Sequence, residues 1–161
     1  MAKSTTKNES TEFDLEKIRR FTEQELAKLA NSELPFCYQL GTDVLVGRSK
    51  VVKINDKCWS VYSQGQHVFD FFSRKDAIFY CIAVHQKQHQ LATEIKNNDS
   101  QLNKLEFEAA LYRHRYKKAN EKHDDWSVDY YSVKYQETIH KINRVKKDLQ
   151  KSLNLAKYIK V

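Results

Sequence analysis

Helix breakers are scarce in this chain. It has three glycines and one proline in 161 residues. The last glycine is Gly65 and the proline is Pro35, so everything beyond residue 65 is free of both. Long apolar runs are absent too. No stretch approaches the roughly 20 apolar residues of a membrane span, and residues 1–10 lack the apolar core of a signal peptide. No membrane partner is expected, and the setting is read as intracellular and cytoplasmic. Cysteine is sparse and odd in number. Cys37, Cys58 and Cys81 are far apart and form no Cys-x-x-Cys pair, which fits buried thiols better than a disulfide or metal framework. A Gly-rich phosphate loop, a Ser elbow and a Cys/His nucleophile arrangement are all lacking. No enzyme and no cofactor are expected.

Apolar residues make up 40% and charged residues 30% of the chain, a composition that can bury a modest core in one domain with an extension. Charge is unevenly placed. Residues 1–84 hold 12 Lys/Arg against 11 Asp/Glu, while residues 85–161 hold 16 against 10. The second half therefore carries nearly all of the +7 net charge, which permits an anionic partner.

That half also carries the strongest pattern. Spacings of four and three run through Leu91, Ile95, Asn98, Leu102, Leu105, Ala109, Tyr112, Tyr116 and Ala119. A second series runs through Val128, Tyr131, Tyr135, Thr138, Ile142, Val145, Leu149, Ser152 and Ala156. Each is a heptad seam that keeps one stripe of a helix facing a partner. Folding the chain at residues 123 and 124 pairs the two series, 119 with 128 through to 91 with 156, in one register. The pattern predicts an antiparallel, coiled-coil-like helical hairpin over 91–161. The spacing also continues upstream through Ala77, Cys81, Val84 and Gln88, predicting one helix of roughly 45 residues from Ser73 to Ala119, about 70 Å long. Asn97-Asn98-Asp99-Ser100 opposes this, being rich in residues that favour caps and turns.

Before the hairpin, residues 1–10 read as a disordered tail and 11–90 as an α+β head. Phe13, Leu15, Ile18, Leu26, Leu29 and Ala30 suggest an amphipathic helix that ends before Pro35. Thr22 with Glu25 forms a capping box at which it restarts. Phe36 to Leu40, Val44 to Val46, Val51 to Ile54, Cys58 to Tyr62 and Val68 to Phe71 read as short strands between turn formers. They predict an antiparallel meander of three or four strands. Ser73 with Asp76 is a second capping signature, opening the almost wholly apolar segment from Ala77 to Val84. The fold class is therefore α+β: a small antiparallel meander packed on a long helix, with a projecting helical hairpin.

Three constellations bear on function. His85 and His89 stand four apart, as in a two-histidine metal site, but no Glu follows His85 and no third ligand is evident. No metal is expected there. At the turn, His123-Asp124-Asp125 is explained by a helix N-cap. Arg113, Arg115, Lys117, Lys118 and Lys122, with Arg144 and Lys147 on the returning helix, are candidate phosphate contacts among aromatics. The seam explains Tyr112 and Tyr116 without a ligand, and acidic residues interrupt the field. Phe107, Ala110 and Leu111 share a face outside the seam. They are a candidate docking face, covered by the N-terminal helix of the same chain, by a partner or by a second copy.

Leu34-Pro35-Phe36-Cys37, Phe71-Phe72-Ser73-Arg74 leading into Ala77-Ile78-Phe79-Tyr80-Cys81, and Leu155-Ala156-Lys157-Tyr158 together resemble uncharacterised small proteins of marine tailed phages that infect cyanobacteria. The resemblance covers residues 14–160. It implies no activity or site. It implies an accessory or virion role and a host-cell cytoplasmic setting. The expected function is a non-enzymatic interaction or assembly module that meets a protein partner or itself through the hairpin. The alternative is a nucleic-acid-binding accessory protein.

Overall fold

The computed structural model describes residues 10–160. The expected disordered tail falls outside the described residues for positions 1–9. Ser10 already belongs to a strand, Ser10–Glu12 (β1).

No long N-terminal helix forms. After β1 the chain makes a 3-10 turn at Leu15–Lys17, a strand Arg19–Phe21 (β2), and a six-residue helix Glu23–Lys28 (α1). The Thr22 cap is present, its hydroxyl accepting the Glu25 amide at 3.1 Å. The apolar residues upstream serve the head instead of a helix stripe. Phe13, Leu15 and Ile18 pack on the head's core. Phe21 is buried, edge-on to Tyr38 at 5.5 Å, with the Arg19 guanidinium 4.5 Å from its ring.

The sheet continues through Cys37–Leu40 (β3), Asp43–Val46 (β4), Ser49–Asn55 (β5), Cys58–Ser63 (β6) and Gln66–Phe71 (β7). The meander thus has five strands, one more than the upper expectation. β2 adds a sixth by pairing parallel with β3. Alternation puts Val44, Val46, Val51, Val61 and Phe71 on one face, where all are buried.

That face meets the helix Arg74–His85 (α2) through Ala77, Ile78, Cys81 and Ile82. Burial of side chains such as Ile78 and Ile82 contributes about 1.5–3 kcal/mol each. Helix α2 is apolar nearly all round because it is covered on both sides. Beyond it lie Ala92, Ile95, Leu149, Leu153 and Ala156 from the base of the hairpin.

The hairpin is His89–Glu121 (α3) and Asp125–Ala156 (α4). Most of its buried residues fall on the predicted seam, while the seam member Tyr116 near the turn is exposed. In α4 the buried residues are the seam members Thr138, Ile142, Val145, Leu149, Ser152 and Ala156, plus Leu153. The turn falls at Lys122-His123-Asp124, and Asp124 caps α4 by accepting the Ser127 amide at 3.2 Å. Past Leu102 the two helices hold each other through a separate cluster of Leu105, Ala109, Ile142 and Val145. The outer half of the hairpin therefore projects from the head. The last strand, Tyr158–Lys160 (β8), pairs antiparallel with β1. The Phe13 amide donates to the Lys157 carbonyl at 2.6 Å, extending the pairing of β1 with β8.

The expected single helix from Ser73 to Ala119 is interrupted, but at residues 86–88 and not at Asn97–Ser100. Gln88 N–H donates to the Ala83 carbonyl and Lys87 N–H to that of Val84, at 2.8 and 3.0 Å. This is a Schellman closure with Lys87 left-handed at φ 61°. The same closure ends α3. There Asp124 N–H donates to Ala119 and His123 N–H to Asn120, with His123 at φ 54°. Asn97 to Ser100 stay helical because Asp99 has a tertiary partner, described below.

Candidate functional site

The proposed docking face is uncovered. Phe107 is 72% exposed and Leu111 37%, with Ala110 exposed beside them. The N-terminal segment expected to cover them lies on the head, so an intramolecular cover is excluded among the described residues. Half-buried Glu106 and Glu108 border the face toward the N-terminal end of α3, and exposed Arg113 and Arg115 border it toward the C-terminal end.

A second exposed apolar group, outside the candidates drawn from the sequence, lies on α4. Trp126 is 73% exposed, Tyr130 42% and Val133 56%. They step by four and three, half a turn out of phase with the seam. The same out-of-phase spacing that reveals Phe107 and Leu111 was available in the sequence. The rings of Trp126 and Tyr130 stack with centroids 5.3 Å apart and planes at 8°.

The basic candidates do not share one face. Ala92, Asp99 and Leu153 are buried outside the seam and mark the flank of the hairpin turned to the head. Steps of seven along that flank reach Arg113. Arg113 and Lys117 line a cleft of about 470 Å³ with Tyr116, Ser132, Tyr135 and Gln136. Arg115, Lys118, Lys122 and Arg144 fall on the other flank by the same heptad steps, and Lys147 on the back of α4. The Arg115 guanidinium sits 5.9 Å from the Tyr131 ring.

The histidine pair is divided. His85 ends α2 and His89 begins α3, so the break removes their one-turn relation. The His85 ring stacks on Phe36 at 5.4 Å and fills the space a side chain at Gly47 would need. Among the described residues, no three His, Cys, Asp or Glu side chains converge as metal ligands.

One arrangement resembles a catalytic triad in composition alone. On β6 and β7, Ser60 Oγ lies 2.5 Å and His67 Nε2 2.7 Å from the same oxygen, Asp70 Oδ1. The carboxylate stands between serine and histidine, so the hydroxyl donates to Asp70 and has no base on it. A nucleophilic triad needs histidine in the middle. Hydrogen bonds from Ser60 first, then His67, hold the Asp70 carboxyl below its usual range. The arrangement ties two strands together.

The thiols offer no nucleophile at neutral pH in the core. Burial pushes both Cys37 and Cys81 up to about 12. Cys58 is half-buried and all three are unpaired. Asp76 and Asp99 form a buried carboxyl pair between α2 and α3. Asp99 Oδ2 accepts the Phe72 amide at 3.0 Å. Ser73 sits at the N-cap of α2, but its side chain makes no capping bond. Asp76 has turned inward to Asp99 instead of completing the predicted capping box.

Against known proteins, no family model, curated protein or solved structure matches the chain. No helix among the described residues is long and apolar enough to cross a membrane.

Proposed function

We propose that the protein is a non-enzymatic assembly module whose projecting hairpin pairs with a second copy of itself through the back of α3. The observation that carries this reading is the uncovered Phe107–Ala110–Leu111 face, with Phe107 72% exposed. Large apolar side chains grouped on an outer helix face mark contact surfaces.

The flanking charges select the occupant. If two copies meet antiparallel about an axis between Ala110 and Leu111, the apolar face meets itself. Glu106 and Glu108 of one copy then stand opposite Arg113 and Arg115 of the other. None of the ion pairs among the described residues uses these four side chains. A two-fold contact of this kind is self-complementary. It is small, at the low end of the interface range, so the association is weak and reversible. The resemblance of the chain's motifs to small proteins of cyanobacterial phages fits an accessory or virion role, and that placement is part of the proposal.

Sedimentation velocity over a range of protein concentrations tests it. The wild type should move from monomer toward dimer as concentration rises. The double variant Phe107→Ser, Leu111→Ser should stay monomeric. Its melting should match the wild type, since exposed substitutions change stability by about 0.5 kcal/mol or less. A wild type that remains monomeric at every concentration overturns the reading.

A further inference from the structure

The outer face of α4 carries a pattern that self-pairing through α3 does not use. It begins with the stacked, exposed rings of Trp126 and Tyr130 near the turn. Lys134 follows, its ammonium 5.7 Å from the Tyr130 ring. Helical steps of three and four along the same face lead to Lys141, Arg144, Lys147 and Lys151, all exposed. Glu137 and Asp148 are the acidic members of this face. Glu137 is engaged with Lys134 at 3.7 Å. From Trp126 to Lys151 the face runs about 37 Å along the axis.

We infer that this face binds single-stranded nucleic acid, with Trp126 and Tyr130 as a stacking platform and Lys141, Arg144, Lys147 and Lys151 along the phosphates. Three classes of polymer or surface compete for such a face, and its layout favours one. A membrane-surface helix needs an apolar stripe along its whole length. Between Trp126 and Lys151 the exposed apolar side chains are confined to the segment from Trp126 to Val133, and Leu155 at the far end of α4 is separated from them by the run of cations. A protein partner would have to supply carboxylates to match the cations beyond Val133. A nucleic acid presents a phosphate at every nucleotide and adds flat rings for the aromatic end, where base stacking is strong and tolerant of sequence.

The strand must be single because only unpaired bases offer their faces to Trp126 and Tyr130. At 3.4 Å per nucleotide the face follows at most about eleven nucleotides. The Lys134 ammonium lies over the Tyr130 ring and adds a cation-π contact to the stacked pair. The inference does not rest on self-pairing. Pairing through α3 would leave the α4 face open on each copy.

Fluorescence anisotropy with labelled, mixed-sequence single-stranded DNA and RNA, and with the matching duplex, tests the inference on the full chain. Single strands should bind at low salt and be released as salt rises. Trp126→Ala with Tyr130→Ala should weaken single-strand binding at least about tenfold and leave residual duplex binding unchanged. Lys141→Glu, Arg144→Glu and Lys147→Glu together should flatten the salt slope by about two, from three lost phosphate contacts. All five residues are exposed, so circular dichroism melts should be unchanged and folding separated from binding. Three results would overturn the inference: no single-strand binding at low salt, equal loss on single strand and duplex in the aromatic variant, or capture by phosphatidylglycerol vesicles without oligonucleotide binding.

Discussion

The buried carboxyl of Asp76, in the first turn of α2, hydrogen-bonds to that of Asp99 on α3. Asp99 in turn accepts the Phe72 amide at 3.0 Å. These contacts join the end of the sheet, the start of the core helix and the hairpin. Two carboxylates side by side in a buried site repel each other and lose their water, so one of them keeps its proton. Burial first, then the Asp99 hydrogen bond and charge, push Asp76 up from its ordinary 3.8 to about 8, while Lys75 pulls weakly the other way.

Stability should therefore fall as pH rises. Below about pH 4 the folded and unfolded chains both hold the Asp76 proton. Between about 4 and 8 the folded chain keeps a proton that the unfolded chain has released. Each unit of pH then removes up to about 1.4 kcal/mol. Above about 8 the contribution is gone. Urea unfolding midpoints measured from pH 5 to pH 8 should decline in the wild type. Asp76→Asn keeps a donor toward Asp99 and should flatten the profile. A wild-type profile that matches the Asn variant would refute the shared proton.

Gly47 and Gly41 provide a matched pair for the contact under His85. Both are left-handed, at φ 58° and 63°. A Cβ at Gly41 meets nothing within 4 Å, while one at Gly47 would lie 2.6 Å from His85 Nδ1. Alanine at either position carries about 1–2 kcal/mol of backbone strain. Gly47→Ala must also displace the imidazole stacked on Phe36. It should cost about 1 kcal/mol or more beyond Gly41→Ala. Equal melting temperatures would mean that His85 moves aside freely.

The two Schellman closures yield the opposite kind of change. Lys87 and His123 occupy the left-handed position that glycine usually fills. Lys87→Gly and His123→Gly should each stabilise the protein by roughly 0.5–1 kcal/mol, relief of strain being partly offset by a freer unfolded chain. A loss of stability in thermal unfolding would show that the side chain, and not the backbone, governs that site.

The same positions explain which parts of the fold were legible in the sequence. The hairpin was readable because nine seam layers repeat one spacing, and burial at the seam enforces it over many residues. The strands from Cys37 to Phe71 were readable because turn formers punctuate an alternating pattern. The break at residues 86–88 was not, since its left-handed residue is a lysine and the heptad phase resumes beyond it. Asn97 to Ser100 looked like a break because local preference was visible and the Phe72 amide was not. The N-terminal segment departs from the expected helix for a similar reason. Phe13, Leu15 and Ile18 answer to a core assembled from distant strands and helices, and the edge strand β2 is only three residues long. Of the candidate site, the α3 face was legible from Phe107 and Leu111. Trp126, Tyr130 and Val133 follow the same rule on α4, where the stronger seam signal masks it.

The charge arrangement around the α3 face gives the most specific test of self-pairing. Glu106 and Glu108 precede the axis between Ala110 and Leu111, and Arg113 and Arg115 follow it. Only an antiparallel second copy sets the first pair against the second. A variant with Glu106→Lys and Glu108→Lys presents like charge on both flanks, as does one with Arg113→Glu and Arg115→Glu. Each alone should be monomeric in sedimentation, because charges of one sign meet across the axis. Mixed in equal amounts, the two should associate again, with the lysines of one copy meeting the glutamates of the other. Exposed charge pairs contribute about 0.2–1 kcal/mol each and are screened by salt. The recovery should therefore shrink in high salt, while the apolar part of the contact persists. If both variants dimerise as well as the wild type, the flanking charges do not choose the partner. If neither variant recovers on mixing, the occupant of the Phe107 face is not a second copy.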